Sequence, residues 1–372
     1  MKKRYILFLI LLIFITLFYY FYKFENNNKS NKKEVENKIE KEEVKDTKKS
    51  MSIVMVGDAV IHNGVYLDAS IGNGQYDFKS MFEYIPELIK GYDLKYYNQE
   101  TIIGGKNLGL SNYPRFNSPD EIGSDLVYTG FNMVSLATNH TLDKGEVGVI
   151  YSTNFWKSKE DVISAGTYLS NEDRNNIPVY NKNGINFAFL SYTTSTNGIP
   201  IPNGKEYLVN VYDKEKVKMD IESIKEKTDV IIVAMHWGSE YTFEPTEEQK
   251  EIASYLSSLG VNLIIGTHPH VIEPVDYVGD TLVIYSLGNF ISAQHSLGID
   301  KIVGLMVGLN INVENNKVTF DDIKYELLYT YCTSNYKNFK IYPFSKLDDN
   351  ILKGYNDLRD KYLNIVNTKV SY

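Results

Sequence analysis

The stretch "DVIIVAMHWGSEYTFEPTEEQKEIASYLSSLGVNLIIGTHPH", residues 229–270, decides the fold. "VIIVAM" is apolar at every position, as expected of a strand covered on both faces. After a polar break, Pro245 suits a helix start. The acids that follow it suit the positive end of the helix dipole, and Gly260 suits the stop. "NLIIG" then repeats the apolar run. Strand, helix and strand in this order predict α/β layering.

The same texture continues on both sides. "SIVMVGD" (52–58), "YDLKYYNQE" (92–100), "FNMVSLATNH" (131–140), "INFAFLSYT" (185–193) and "TLVIYSLGNF" (281–290) are short β-rich runs that end in polar residues. Helix-like stretches at 79–90 and 213–227 lie between them. Beyond residue 300 the pattern alternates like antiparallel strands around an "ENN" turn, and 347–367 reads as a closing helix. Residues 171–176 and 195–207 read as surface connections.

The N-terminus is different in kind. Lys2, Lys3 and Arg4 precede 18 uncharged residues, Tyr5 to Tyr22, at the short end of what spans a bilayer. A cleaved secretory signal has similar charge and length. No small-x-small site follows, which favours an uncleaved single-pass anchor. Basic residues stay cytoplasmic, so the main domain is expected outside the cell membrane. Residues 23–50 hold nine Lys and seven acids with almost no apolar side chains, and are expected to be a charged, disordered linker. The organisation expected is therefore anchor 1–22, linker 23–50 and one domain 51–372, with a motif core at 52–295 and an elaboration at 300–372.

The net charge is −8 overall. The first 50 residues carry 12 basic and 7 acidic groups, or +5, which leaves −13 on the rest. That balance argues against nucleic acid as a partner, which needs basic surface. It suits metal ions. Cys332 is the only cysteine, so no internal disulfide can form.

In open α/β sheets, functional groups gather beyond the carboxyl ends of strands. Asp58, His62, Glu100, Asn139, His140, His236, His268 and His270 all fall at such positions, and they include five of the six histidines. Each alone has an ordinary reading: a turn aspartate, a solvated strand end, a capping pair, a packed core histidine. Together they supply oxygen and imidazole donors in the mixture that two divalent ions about 3.5–4 Å apart require. Manganese, zinc or iron suits this set. A non-ligating histidine beside the pair is placed to protonate a leaving alkoxide. His295 reads as a loop histidine.

Six motifs in order, "GD" (57–58), "NQE" (98–100), "ATNH" (137–140), "HWGSEY" (236–241), "GTHPHV" (266–271) and "YSLGNF" (285–290), resemble the bacterial capsule synthesis CapA family. That family is linked to poly-γ-glutamate capsule production and is similar in fold to calcineurin-like metallophosphoesterases. The resemblance implies a four-layer α/β sandwich with two divalent metals. It implies Asp58, Glu100, Asn139, His236, His268 and His270 as ligands, with His62 as the nearest substitute for a missing early histidine. It further implies His140 as the leaving-group acid, with Asp143 orienting it. The "YSLGNF" segment is expected to pack or shape the pocket, with Asn289 either structural there or reaching the substrate.

This chain departs from the phosphoesterase pattern. No histidine stands two residues after Asp58, Glu replaces Asp at the bridging position, and "AT" replaces the glycine before Asn139–His140. The expected substrate is an anionic polymer or a phosphate ester, and the expected partners are other membrane subunits of a capsule polymer synthase. The alternative is a non-catalytic scaffold subunit of such a synthase. A weaker option is hydrolysis of a surface polysaccharide or teichoic acid.

Overall fold

The computed structural model describes residues 2–39 and 48–372. The N-terminal unit is one helix, α1 (Lys2–Ile39), of which Arg4–Lys29 is long and apolar enough to cross a membrane. The helix runs past Tyr22 into the charged segment expected to be disordered. Lys and Glu are good helix formers, and an apolar helix ahead of them removes the cost of nucleation. Residues 40–47 of that expected linker lie outside the described residues.

Residues 49–372 form the second unit. It opens with β1 (Lys49–Ala59), α2 (Asn63–Asp68), a hairpin of β2 (Ser70–Gly72) and β3 (Gln75–Tyr76), then α3 (Ile85–Ile89) and β4 (Leu94–Asn98). Next come α4 (Asp120–Thr129), β5 (Met133–Ser135), α5 (Gly145–Lys157), β6 (Ile163–Ala165), α6 (Asn171–Asn175), β7 (Tyr180–Lys182) and β8 (Ile185–Thr193). The second half runs α7 (Lys214–Ile224), β9 (Val230–His236), α8 (Glu247–Leu259), β10 (Leu263–Thr267), β11 (Val275–Val278), β12 (Thr281–Ile284) and β13 (Asn289–Ile291). It closes with β14 (Val303–Glu314), β15 (Lys317–Tyr331), β16 (Lys340–Pro343) and α9 (Tyr355–Val366).

Two sheets result. One has the order β16-β15-β14-β1-β4-β5-β6, with β13 also on β1; the other is β11-β12-β10-β9-β8-β7. The strands that end at the polar motifs are parallel: β1 with β4, β4 with β5, β8 with β9, and β9 with β10. Successive side chains alternate between two cores. Met51, Ile53 and Met55 of β1 face Val230, Ile232 and Ala234 of β9 between the sheets. Val54 and Val56 turn outward to Ile122, Leu126 and Trp156 of the helices. Ile231, Val233 and Met235 turn to Val217, Ile221, Ile252 and Leu256 on the other side. Helix, sheet, sheet and helix make four layers, which explains why "VIIVAM" carries no polar position.

The helix expected at 245–260 is α8. Its N-cap is Thr246, in a capping box with Gln249, and Pro245 precedes it. Gly260 ends it at φ 95. The "ENN" turn joins β14 to β15 with Asn315 and Asn316 both in the left-handed region, as a two-residue hairpin loop requires.

One close approach sets the position of the site. The Asp58 amide donates to the Gly288 carbonyl at 2.9 Å, joining the "GD" and "LGN" segments. A Cβ on Gly57 would stand 1.8 Å from that carbonyl oxygen. The obstacle is backbone, so it cannot rotate away. Gly57→Ala is expected to destabilise the fold by about 3 kcal/mol, in the range of severe overpacking. Urea denaturation of the two proteins measures it; an unchanged midpoint would refute the packing argument.

Candidate metal centre

The ligand-type residues converge where five parallel strands end. Asp58, near the end of β1, is fully buried. Its Oδ1 accepts from Asn98 Nδ2 at 2.6 Å, and its Oδ2 accepts from the His268 amide at 3.1 Å. Asn98 is itself held, its Oδ1 accepting from the Ser135 hydroxyl. Asn98 lies in the quoted "NQE" motif but was not among the expected site residues. An asparagine at a strand end has many ordinary roles, and only the fold reveals this one.

Glu100 is buried just past β4, and neither carboxylate oxygen has a hydrogen-bond partner among the described residues. His270 Nε2 lies 3.5 Å from its Oε1, and His270 Nδ1 lies 3.7 Å from Asp58 Oδ2. Ligand atoms of Asp58, Glu100 and His270 all fall within 4.8 Å of one another. Asn289 Oδ1 faces His270 Nδ1 at 2.9 Å. A proton on Nδ1 satisfies that contact and leaves the Nε2 lone pair toward Glu100. Asn289 Nδ2 is engaged with Gln294 Oε1 and the Lys301 carbonyl, each at 2.8 Å. The substrate role expected for Asn289 is therefore corrected. It is fully buried, its polar atoms are taken up, and its place is behind the histidine.

A second group stands beside the first. His236 Nε2 meets Asn139 Oδ1 at 2.9 Å, and its Nδ1 meets the Thr267 hydroxyl at 3.0 Å. The His268 ring packs 4.8 Å from that of His236, and its buried Nδ1 is without a partner among the described residues. His268 and His270 take φ of 102 and 60, strained values for non-glycine residues that cost roughly 1–3 kcal/mol each. The loop between them is pinned by Asp58 on the His268 amide and by the Tyr241 amide on the Pro269 carbonyl. Backbone strain held this way is a mark of functional sites.

His140 Nε2 points to Glu100 Oε1 at 4.0 Å. Its Nδ1 meets Asp143 Oδ2 at 2.7 Å, and the same oxygen accepts the Phe116 amide at 2.6 Å. Asp143 thus fixes the ring with Nε2 facing the cluster. His62 is not brought into the ligand group. Its Nδ1 is taken up by the backbone of Val60 (3.1 Å) and Ala293 (3.3 Å), and its ring stands edge-on to Phe116 at the rim. Four residues of separation from Asp58 carry it out of the strand and onto the start of α2. The cleft over the cluster, about 470 Å³, is lined by His62, Glu100, His140 and His270 together with Tyr113, Glu240 and Tyr241.

Burial dominates the electrostatics. It raises Asp58 to about 7 and Glu100 well above the ordinary carboxylate range, the latter also through its neighbour Asp58. Burial likewise lowers His268 to about 4 and His270 to about 3, and takes His236 well below the usual range. Carboxylates that resist ionising beside imidazoles that resist protonation form a donor set suited to divalent cations. The orphaned oxygens of Glu100 fit the same group.

The bacterial capsule synthesis protein family PGA_cap matches residues 52–294. The PGA biosynthesis protein CapA of Bacillus subtilis (strain 168) is 32% identical over 166 residues, 44% of this chain and 43% of that protein. The capsule biosynthesis protein CapA of Bacillus anthracis is 26% identical over 261 residues, 66% of this chain and 60% of that protein. The chain thus spans roughly half the length of the curated relatives it matches. A phosphatase from Mycoplasma pneumoniae superposes with a TM-score of 0.50 at 17% identity, covering 82% of this chain and 100% of its own. The two chains share a fold.

Proposed function

This chain belongs to the bacterial capsule synthesis protein family PGA_cap, and on that premise we propose that it is a membrane-anchored, metal-dependent hydrolase. It cleaves a phosphate ester, or a related phosphoryl or acyl bond, during synthesis, export or attachment of an anionic capsule polymer such as poly-γ-glutamate. The observation that carries this reading is Glu100: buried, with neither oxygen hydrogen-bonded among the described residues, between His270 Nε2 and His140 Nε2. A buried carboxylate is costly unless something positive meets it.

Asp58, Glu100 and His270 would hold one divalent cation, and Asn139, His236 and His268 would offer donors to a second. Such a pair, when bound, supplies Lewis acidity and an activated water. His140 holds a proton at Nε2 and gives it to the departing oxygen, while Asp143 keeps Nδ1 occupied. Asn98 and Asn289 hold Asp58 and His270 in place from behind.

The anchor reading rests on Arg4–Lys29 and on the basic Lys2, Lys3 and Arg4, which favour a cytoplasmic N-terminus and an external domain. On that topology we propose other membrane subunits of a polymer synthase as its partners. With −13 on residues 51–372, an anionic polymer depends on the metals for attraction.

Metal analysis of the full chain in detergent tests the proposal. We expect about two divalent ions per chain. Replacing both His268 and His270 by Ala should release most of them. A folded wild-type protein that takes up no metal when metal is supplied would sink the hydrolase reading.

A further inference from the structure

The cleft above the cluster is acidic. Asp58, Glu100 and Asp143 lie beneath it and Glu240 stands on its edge. Its continuation past His140, about 330 Å³, is lined by Tyr113, Arg115, Asn139, His140, Asn197 and Glu240, among others. Among the described lining residues, Arg115 is the one permanently cationic side chain.

The chain has four arginines. Arg4 lies in α1; Arg174 pairs with Asp220 at both guanidinium nitrogens, and Arg359 lies beside Asp360. Among the described residues, Arg115 alone of the domain's three has no carboxylate at ion-pair distance.

Its base is held firmly. Ser111 and Asn117 exchange backbone hydrogen bonds at 3.2 and 3.1 Å, and the Ser111 hydroxyl donates to the Arg115 carbonyl at 2.6 Å. The Asn117 side chain ties the loop to Gly104, Gly105 and Gly109. Phe116, the next residue, donates its amide to the same Asp143 oxygen that meets His140 Nδ1. The Phe116 ring stands edge-on to His140 at 4.7 Å. One carboxylate therefore sets both the histidine and the backbone that presents Arg115, leaving an exposed arginine on a fixed stem in the cleft that His140 also lines.

We propose that Arg115 is the specificity-determining residue of this site: it receives an oxyanion group of the substrate, next to the bond that His140 serves, and Glu240, which lines the same cleft, repels a second negative charge there. The inference rests on the hydrolase reading and narrows its substrate class. Guanidinium forks match carboxylate and phosphate oxygens, and a carboxylate in the same cleft discriminates by repulsion. Two sources supply that chemistry. One is a pendant carboxylate that recurs along an acidic polymer, and the other is the non-bridging oxygens of a phosphodiester.

The test is binding calorimetry on the full, metal-loaded chain in detergent at fixed ionic strength. The probes are a γ-linked glutamate tetramer, its carboxyl-methylated form and bis(4-nitrophenyl) phosphate. Arg115→Gln should weaken at least one anionic probe by about 10-fold or more, the worth of one charge-assisted hydrogen bond. Arg115→Lys should recover part of the loss, Glu240→Gln should tighten the same probe, and metal content should stay unchanged throughout. Whichever anionic probe responds identifies the source, and the methylated tetramer should be indifferent to Arg115. Binding of both anionic probes within about twofold of wild type in Arg115→Gln, or no binding of either by metal-loaded wild type, overturns the proposal. Metal missing from the wild type strikes instead at the hydrolase reading beneath it.

Discussion

Replacing Glu100 by Gln should strip the cluster of metal and abolish turnover, and yet make the metal-free protein more stable at alkaline pH. Loss of a residue that merely supports a ligand weakens metal binding by about 10–100-fold, so loss of a ligand carboxylate should exceed the upper figure. The stability effect has the opposite sign because Glu100 is buried, with neither oxygen hydrogen-bonded among the described residues. Its carboxyl is held well above the ordinary range, first by burial and then by Asp58. Above the ordinary carboxylate range the unfolded chain has released this proton while the native chain keeps it, so native stability falls as pH rises toward the folded value. Gln carries no such proton. Denaturation of metal-free wild type and Glu100→Gln should coincide near pH 4.5 and diverge in favour of the variant by pH 8. Added metal should reverse the order, because a cation stabilises the native state of the protein that binds it. A variant that keeps its metal, or that is the less stable metal-free form at pH 8, would remove Glu100 from the centre.

Much of this site could be read from the chain because strand ends are where parallel α/β sheets place their chemistry. "VIIVAMH" and "LIIGTH" announce both the buried strand and the residue that ends it. The tail of β1 was legible for the same reason. What failed to read were positions decided by non-local geometry. His62 looked like a ligand by nearness in sequence, but α2 begins beside it and carries the ring to the rim. Asn289 looked like a substrate contact, yet the approach of Gly57 to Gly288 buries it behind His270. Asn98 and Arg115 matter only because β1 lies beside β4 and because Asp143 bonds Phe116, and neither pairing leaves a local trace. The stretch 79–90 has helical spacing but forms a 3-10 turn at Lys79–Phe82 and the short α3, with Pro86 confined to its first turn.

His140→Ala separates catalysis from mere scaffolding, because it should spare the metals and cost the rate. The ring is no member of the Asp58, Glu100 and His270 group; its Nε2 stands 4.0 Å from Glu100 Oε1, and its other nitrogen is committed to Asp143. Removing it leaves the ligands untouched, so metal content should match wild type. Turnover should fall by about 10²–10⁴-fold, the usual worth of a positioned general acid. The size should depend on the leaving group. A nitrophenolate departs without help, so its ester should lose little, whereas an alkoxide needs the proton and its ester should lose most. Asp143→Asn should give a smaller loss with the same leaving-group trend, since it frees the ring without removing it. A uniform loss across leaving groups would mean that His140 positions substrate and transfers no proton. No loss at all, with capsule function intact in cells, would favour a scaffold that binds metal and leaves the chemistry to its partners.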